Sequence, residues 1–456
     1  MSTFERPLPR RTVMTYALGS IGTGGFATLP GLVLIYYMTD TLGISALFAG
    51  LMVALAKIWD VIIDPIIGAR SDHSLATTGS RKRFMFLGGI LLPIFFLLTF
   101  AVPVAIGPIA GGIWVLIAFT ATATAFSLFQ VPYIALPAEL TAGYDQRTRL
   151  LSVRVLVLSI AILLFGAGGP ALRTLGGENA WLGYFLMALL SGALIGVCMI
   201  ITSRVAPQQE TNDSKIASLH SNYVHGFNTL KRSQPFRSLL LTFALQGLAT
   251  GGMLAGAQYV ATWILGDESA VTLLFIALIG PALLFVPVWR ALARRRGKEQ
   301  AFNYSSILFG LSALALAFML IAPGPWIYIP VALAGAGYAG MQSLPMSMLP
   351  DVISHDAQTH GEGQAGLFGG VWTAGETTGM ALGATLLTVM LWASGYVESV
   401  AGEITTQHTS AINGIILSFS LLPALLIALS LLTFRRYPLR EHDISPITLS
   451  PDLGEH

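Results

Sequence analysis

The sequence predicts an all-α membrane protein with about twelve transmembrane helices in two six-helix bundles, and its composition is the first reason. The 456 residues are 54% hydrophobic and only 11% charged, whereas a soluble domain carries roughly 25% charged residues to keep its surface hydrated. Two stretches, Phe84–Ala138 and Gln300–Pro350, contain no Asp, Glu, Lys or Arg. Each is long enough for two spans of about 20 residues and a turn. Lipid is therefore the expected solvent for most of the chain.

Clusters of proline and glycine separate the apolar segments and mark the turns between them. Because a helix needs about 20 apolar residues to cross the hydrocarbon core, these segments predict twelve spans. They lie approximately at Thr12–Met38, Ala46–Gly68, Phe84–Ile106, Gly111–Pro137, Leu151–Leu172, Trp181–Ser203, Ser238–Leu265, Ala270–Ala293, Phe302–Ala322, Trp326–Leu349, Gly366–Ser394 and Ala411–Phe434.

One long polar linker divides the predicted spans six and six. It covers Arg204–Arg237 and is rich in Gln, Ser, Asn and basic residues. We therefore predict an N-terminal six-helix bundle over residues 1–203 and a cytoplasmic linker over residues 204–237. A C-terminal six-helix bundle with a cytoplasmic tail is expected over residues 238–456.

The two halves also resemble each other at the ends of spans four and ten. Gln130–Glu139 and Gln342–Asp351 each contain two prolines five residues apart before an acidic residue. Such weak internal symmetry is expected of two parallel six-helix halves. The architecture that fits is the major facilitator fold, with a substrate cavity between the bundles. Glu139 and Asp351 either latch one bundle to the other or cap their helices in solvent.

Basic residues predict the orientation of the chain, because cytoplasmic loops carry an excess of Lys and Arg. The N-terminus, the linker and the loop containing Arg290–Lys298 fall on one side of the predicted membrane, whereas Arg173 is the lone basic residue of the other side. We expect a multi-pass protein of the plasma (inner) membrane with both termini in the cytoplasm. The net charge of +2 does not indicate a nucleic-acid partner, and we expect a monomer in the lipid bilayer.

Span two contains ionisable residues that are costly in a membrane. Lys57, Asp60 and Asp64 share one helical face, and the two carboxylates are neighbours at positions i and i+4. A charge at a helix centre costs roughly 2.5–3.5 kcal/mol, which suggests a functional role. Close carboxylates repel unless a cation or a proton joins them. The three residues therefore form either a cation site, for sodium or a proton, or a structural ion pair in which Lys57 neutralises one Asp.

Further polar and aromatic side chains lie within the spans. Arg154 in span five and Glu376 in span eleven either face the cavity or form buried structural pairs. Trp372, together with aromatic residues such as Trp59 and Tyr133, either stacks on a sugar ring or packs against other helices or lipid.

Four segments resemble one known family. They are Tyr16–Asp40, Trp59–Arg83, Arg147–Arg154 and Glu362–Tyr396. In them the sequence resembles the glycoside–pentoside–hexuronide:cation symporter family of the major facilitator superfamily, and the resemblance covers nearly the whole chain.

The resemblance implies a preserved cation site and a rewritten sugar site. Asp60 and Asp64 match the carboxylates that hold the coupling cation, and Ser127 matches a hydroxyl that assists them. Gly24 and Gln130 stand where the family has sugar-binding acids on its first and fourth helices. The family's eleventh-helix lysine aligns near Glu376 or Thr377. The candidate substrate-binding residues are Gly24, Gln130, Arg154, Trp372 and Glu376.

These observations predict a secondary active transporter that couples a monovalent cation to symport of a sugar, glycoside or related small organic solute by alternating access. The alternative is a proton-coupled or uncoupled carrier or exporter of an amphipathic compound such as a lysolipid. A non-transporting membrane sensor or a membrane enzyme is a further alternative. Because no cluster of nucleophiles or metal ligands appears in the sequence, we expect neither an enzyme nor a cofactor, and no metal beyond the coupling cation.

Overall fold

The structure is a computed structural model that describes residues 8–141, 144–208, 233–360, 365–400 and 405–439. Helices dominate these described residues, joined by short turns and 3₁₀ segments. The helices are α1 (Arg10–Asp40), α2 (Ala46–Thr78), α3 (Lys82–Phe100), α4 (Pro108–Leu140), α5 (Tyr144–Arg173), α6 (Ala180–Ser203), α7 (Gln234–Tyr259), α8 (Ala270–Arg296), α9 (Lys298–Ala315), α10 (Tyr328–His360), α11 (Ala365–Ala393), α12 (Thr409–Phe419) and α13 (Leu421–Phe434).

The prediction of twelve membrane spans is confirmed. Ten segments of the described chain are long and apolar enough to cross a membrane. The two further spans are α10 and α11, with 33 and 29 residues. The last span consists of α12 and α13, which meet at Ser420. Pro423 explains this break, because its ring displaces the carbonyl four residues earlier, at Phe419.

Two helices continue well beyond their predicted ends. The predicted second span ends at Gly68, whereas α2 continues to Thr78 and stops at Gly79, which adopts a φ of 72°. Likewise α10 runs to His360 instead of Leu349. Hydropathy marks only the part of a helix inside the hydrocarbon core, so it does not predict the polar turns that project beyond the membrane.

Helices α1 to α6 form the N-terminal bundle and helices α7 to α13 form the C-terminal bundle. Close helix contacts within each bundle depend on small residues. A Cβ atom on Gly88 of α3 would lie 2.6 Å from the carbonyl oxygen of Ala125 in α4, and one on Gly251 of α7 would lie 2.2 Å from the carbonyl oxygen of Met380 in α11. The predicted linker, residues 204–237, lies for the most part outside the described residues.

One end of the molecule, here called the basic face, carries Arg81 and Lys298. Arg81 precedes α3 and pairs with Glu139 at the end of α4, and Lys298 begins α9 and pairs with Asp351 in α10. The sequence left open whether these two acids latch the bundles together or cap helices in solvent. The structure shows a third arrangement, in which each acid forms an ion pair within its own bundle.

The opposite end, here called the acidic face, joins the two bundles. The hydroxyl groups of Thr39 and Tyr259 lie 2.6 Å apart, and an Arg173 guanidinium nitrogen donates to Gln258 Oε1 at 2.7 Å. The backbone N–H of Ala46 donates to a Glu398 carboxylate oxygen at 2.7 Å. The described hydrogen bonds between bundles gather at this face, whereas the two ion pairs of the basic face stay within their bundles. The structure therefore shows a state that is closed at the acidic face.

A partly buried carboxylate lies at the centre of this closure. The Tyr396 hydroxyl, in the turn after α11, donates to Asp40 at the end of α1. Trp263 Nε1 donates to the same Tyr396 oxygen at 2.8 Å. Burial, followed by the Asp40 charge, raises the pKa of Tyr396 well above its ordinary value. The phenol therefore stays protonated and holds the donor that the Asp40 carboxylate needs.

Candidate functional site

The three charged residues of α2 occupy the face that their spacing predicts. Lys57 Nζ lies 2.8 Å from Asp60 Oδ2, and the two side chains are 37% and 17% exposed. Asp64 lies one turn further along the helix and interacts electrostatically with both of them. Lys57 therefore neutralises only one of two neighbouring carboxylates.

Helix α4 places a hydroxyl beside this carboxylate pair. Ser127, which is buried, approaches the Asp64 carboxylate closely enough to act as its hydrogen-bonding neighbour. The register of the two helices is held by Trp59, whose Nε1 donates to Thr124 Oγ1 at 2.8 Å. The structure thus brings Asp60, Asp64 and Ser127 together, as the sequence predicts; their role as cation ligands stays a prediction.

Sequence reasoning missed Thr124, although a signal was present. Thr120, Thr124 and Ser127 follow one another at i, i+4 and i+7, so they form a stripe of hydroxyl groups along one face of α4. Thr124 Oγ1 donates to the Thr120 carbonyl at 2.8 Å and accepts from Trp59. This residue fixes how α2 lies against α4 and hence how Ser127 meets Asp64.

Two oxygens of the pair have no protein partner. Asp60 Oδ1 and Asp64 Oδ1 are buried, and neither accepts a hydrogen bond from the described residues. An unsatisfied buried acceptor costs about 1–3 kcal/mol, and more when it is charged. These oxygens, with the Ser127 hydroxyl, match the all-oxygen ligand set that hard cations prefer. One monovalent cation or one proton would balance the charge that Lys57 leaves unpaired.

Arg154 of α5 lies against an aromatic pair from α1 and α4. Its guanidinium carbon is 5.3 Å from the centroid of the Tyr133 ring, and Tyr133 stacks on Tyr16 at 4.7 Å. Nε of Arg154 is buried without a hydrogen-bond partner. Because Arg154 forms no ion pair with any described carboxylate, the structure does not show the buried structural pair that the sequence left open.

Gly24 and Gln130, the candidates that replace sugar-binding acids, have different surroundings. Gln130 Oε1 accepts a hydrogen bond from the Thr23 hydroxyl at 2.7 Å, which links α4 to α1. Gly24 is buried against α5, where a Cβ atom would lie 2.8 Å from the Ala161 Cβ and 3.2 Å from the Leu158 carbonyl oxygen. In this state Gly24 is therefore a helix-packing position without room for a side chain; its role in substrate binding stays a prediction.

Trp372 also belongs to the protein interior in this state. It is 2% exposed and stacks on Phe243 with ring centroids 4.4 Å apart. Its neighbours include other buried aromatic rings, Phe236 and Phe368. In this state the partner of the Trp372 ring face is Phe243, and stacking of Trp372 on a substrate stays a prediction.

Glu376 lies one turn after Trp372 on α11 and is only partly buried. It is close to Tyr338 of α10, and it forms no ion pair with a described basic residue. The sequence left open a buried structural pair at this position, and the structure does not show one. Glu376 therefore remains a candidate for contact with a substrate.

An apolar groove lies on the helices that carry the carboxylate site. It has a volume of about 480 Å³ and is formed by α2, α3 and α4. Its wall includes Trp59, next to Asp60 in the chain, and Thr124, one turn from Ser127, whereas Leu91, Phe95 and Leu128 supply apolar surface. Apart from a few hydroxyl groups, the groove suits hydrocarbon.

Twelve spans in two bundles, with paired carboxylates inside the membrane, define a secondary membrane transporter. A family model for MFS/sugar transport proteins matches residues 15–441. The chain therefore belongs to the MFS/sugar transport protein family and is a transporter rather than an enzyme.

Named relatives and solved structures agree with this class. The chain is 23% identical to the glucuronide carrier protein homolog of Escherichia coli (strain K12), over 98% of this chain and 96% of the relative. It is 24% identical to the sodium-dependent lysophosphatidylcholine symporter 1 of Gallus gallus, over 94% and 86%. The fold matches a bacterial homologue of the human lysosomal transporter Spinster, solved inward-facing and unoccupied, with a TM-score of 0.66 at 15% identity, over 96% of this chain and 97% of that one.

Proposed function

We propose that this protein is a cation-coupled symporter of the plasma (inner) membrane that carries a sugar, glycoside or related small organic solute by alternating access. The coupling cation, sodium or a proton, binds at Asp60 and Asp64 with help from Ser127. Arg154, Gln130 and Glu376 contribute to the substrate side.

The observation that carries this proposal is the pair of buried carboxylate oxygens without partners on Asp60 and Asp64. A purely structural ion pair has no need of a second acid, because Lys57 already bonds to Asp60. The second carboxylate adds a charge that the described residues do not neutralise. A site that binds and releases one cation accounts for both acids.

The membrane potential drives transport when a cation crosses the membrane together with the substrate. Moving one charge through 100 mV releases about 2.3 kcal/mol, and about 1.4 kcal/mol corresponds to a factor of ten. One cation per substrate therefore supports roughly fiftyfold accumulation before any concentration gradient of the cation is added. This gain compensates for the cost of keeping two acids in the membrane.

The conformation supports the same mechanism. We assign the basic face to the cytoplasm because cytoplasmic loops are enriched in Lys and Arg. Closure at the acidic face by Thr39, Asp40, Tyr259 and Tyr396 then corresponds to an inward-facing state. In the alternating cycle these contacts break and the basic face closes, which exposes the loaded site to the exterior.

Uptake by purified protein in liposomes tests the proposal. Labelled glycosides, glucuronides and lysolipids are offered with an imposed sodium gradient, a proton gradient or neither, each with and without an inside-negative potential. We expect concentrative uptake of one solute class that requires one of the two cations. Uptake that equilibrates without accumulation under every gradient would contradict cation coupling.

A second candidate function is transport of an amphipathic compound, and the groove of α2, α3 and α4 favours it. Its wall is almost wholly apolar and includes Trp59, which precedes Asp60 in the chain. A relative named as a lysophosphatidylcholine symporter is similar over 94% of this chain. The change Leu91→Trp, which fills the groove, separates the two functions: it should impair uptake of lysolipids and leave uptake of glycosides unchanged.

A further inference from the structure

A second cavity lies at the basic end of the C-terminal bundle. It has a volume of about 480 Å³ and is enclosed by α8, the start of α9, and α10. The α8 wall contains Arg290 and Arg294, which share one helical face because they are four residues apart. From α9 and α10 come Lys298, Ser347 and Asp351.

The two arginines provide the positive charge that is available in this cavity. Lys298 Nζ bonds to Asp351 Oδ2 and to the Ser347 carbonyl oxygen, so its charge is already neutralised. Arg290 and Arg294 are exposed, and neither forms an ion pair with a described carboxylate.

One further acid, Glu299, lines the cavity. Its side chain is buried and lies against the backbone at Gly297 rather than against an arginine. With three basic and two acidic residues in the lining, the cavity keeps a positive formal charge. Its two unpaired guanidinium groups are suited to a phosphate, which they bind in bidentate fashion.

The position of the cavity along α8 matches the headgroup layer of a membrane. Arg290 lies six residues before the end of α8 at Arg296, which corresponds to about 9 Å of helix. Leu283 lies seven residues earlier on the same helical face and is 41% exposed. Charged groups at the membrane surface therefore stand directly above an exposed apolar surface, which suits an amphiphile with an anionic head.

In the N-terminal bundle, the residue that corresponds to Lys298 is bonded to two acids. Arg81, which precedes α3 as Lys298 begins α9, is bonded to Asp72 and Glu139 together. Its single positive charge faces two acids.

We propose that this cavity binds the headgroup of an anionic phospholipid from the leaflet at the basic face. Arg290 and Arg294 hold the phosphate, and the acyl chains lie along α8 past Leu283. Basic pockets between transmembrane helices are known to recognise anionic headgroups in this way. The site is separate from Asp60 and Asp64, which belong to the other bundle.

The test uses the purified full-length protein and compares phosphatidylglycerol with phosphatidylcholine as probes. Native mass spectrometry counts the lipids retained by wild type and by the double variant Arg290→Gln/Arg294→Gln. The matched control is Arg295→Gln/Arg435→Gln, which removes the same charge from the same face but leaves the cavity lining intact. The variant Arg290→Lys/Arg294→Lys keeps the charge in place.

Wild type should prefer phosphatidylglycerol, and the double variant should lose roughly thirtyfold in affinity for it. The control variant should keep the preference, and the lysine variant should keep part of it, because lysine retains the charge but not the bidentate geometry. If the double variant does not fold, each single glutamine variant carries the test, with an expected loss of about fivefold.

Three results would overturn the proposal. Equal losses in the double variant and its control would indicate diffuse surface charge instead of a site. Equal binding of phosphatidylcholine and phosphatidylglycerol would exclude recognition of an anionic headgroup. Arginine-dependent binding of inorganic phosphate without binding of phosphatidylglycerol would show a site for a free anion.

Discussion

At the scale of single residues, the membrane interior makes each polar atom informative. Asp60 and Asp64 keep buried oxygens without partners, although a hydrocarbon environment strongly penalises unpaired polar groups. Ser127 brings a hydroxyl group from α4 to Asp64, and Thr124 on the same helix accepts a hydrogen bond from Trp59. Lys57 bonds to Asp60, so the described residues leave the charge of one carboxylate unbalanced.

The first prediction concerns this carboxylate pair. Asp60→Asn and Asp64→Asn keep the side-chain size but remove one charge, so the site no longer compensates for the dehydration of a cation. Each variant should lose accumulation entirely, from roughly fiftyfold at 100 mV to equilibration. Uptake driven by the cation gradient, normalised to folded protein, measures this loss. Asp267→Asn, in an exposed turn, serves as the control.

A structural ion pair makes a different prediction for the same residues. In that case Asp60→Asn leaves Lys57 without an ion-pair partner and lowers the amount of folded protein. Neutralising Lys57 as well restores the folded protein. The double variant Lys57→Met/Asp60→Asn should regain folding but not accumulation if the pair binds the cation. Wild-type accumulation in either single Asp→Asn variant would contradict the coupling assignment.

The second prediction concerns Gly24. A Cβ atom there meets Ala161 and backbone atoms of α5, and backbone cannot move aside, so Gly24→Ala should lower the stability by about 1–3 kcal/mol through overpacking. Gly280→Ala is the control, because no atom lies within 4 Å of its added Cβ. Thermal unfolding in detergent compares the two variants. A folded Gly24→Asp variant that gains galactoside binding would show that Gly24 does face the substrate.

At the scale of helices, the ends of α1, α7 and α11 determine which face is closed. Asp40 ends α1, and its partner Tyr396 follows α11. Tyr259 ends α7 and meets Thr39. Hydrogen bonds of this kind form only when the two bundles approach each other at the acidic face, so they stabilise one state of the cycle over the other.

The third prediction tests this closure. Tyr396→Phe removes the donor to Asp40 and the acceptor for Trp263, and a hydrogen bond to a charged group contributes about 1.5–3 kcal/mol. The population open at the acidic face should therefore rise by about tenfold or more. Thiol labelling of Leu254→Cys reports it, because Leu254 packs against Gly31 of the other bundle. The labelling background is Cys198→Ser, which removes the one native cysteine.

The matched control for that experiment is Tyr304→Phe. The Tyr304 hydroxyl also accepts a hydrogen bond from a charged side chain, that of Arg296, but Tyr304 lies on α9 near the basic face. Its removal should leave the labelling rate of Leu254→Cys unchanged. An unchanged rate in Tyr396→Phe as well would show that the Asp40 bond does not hold this face closed.

At the scale of the whole molecule, the two bundles share an arrangement of ion pairs but differ in the acids that lie within the membrane. In both, a basic residue at the start of the third helix pairs with an acid of the fourth helix, as Arg81 with Glu139 and Lys298 with Asp351. The acids within the membrane differ: α2 contains Asp60 and Asp64, whereas α8, its counterpart, has none in the corresponding segment. Cation coupling is therefore proposed for one half only.

The fourth prediction concerns the orientation of the whole molecule. In the Cys198→Ser background, a cysteine at Asp267 of the acidic face should react with a membrane-impermeant thiol reagent added to intact cells. A cysteine at Arg295 of the basic face should react only after the membrane is opened, because Lys and Arg stay in the cytoplasm. The reverse pattern would refute the assignment of the basic face to the cytoplasm.

The sequence by itself was sufficient for the spans, the two halves and the shared face of Asp60 and Asp64. Hydropathy and helical periodicity are local properties, and lipid enforces them strongly. It was not sufficient to choose between the two alternatives for Trp372. An aromatic residue in a span has the same local sequence pattern whether its ring contacts a sugar or Phe243. Nor did the sequence predict the full length of α2, since polar helix turns outside the membrane carry no hydropathy signal.

Only the tertiary structure decided what each residue faces. Gly24 packs against α5, which crosses α1 at that point. Glu139 and Asp351 each form an ion pair with a basic residue of their own bundle. The contact of Asp40 with Tyr396 joins residues 356 positions apart, and no local pattern marks such a pair. Which helices meet is set by packing over the whole chain, whereas which residues enter the membrane is set by the cost of transferring each one into lipid.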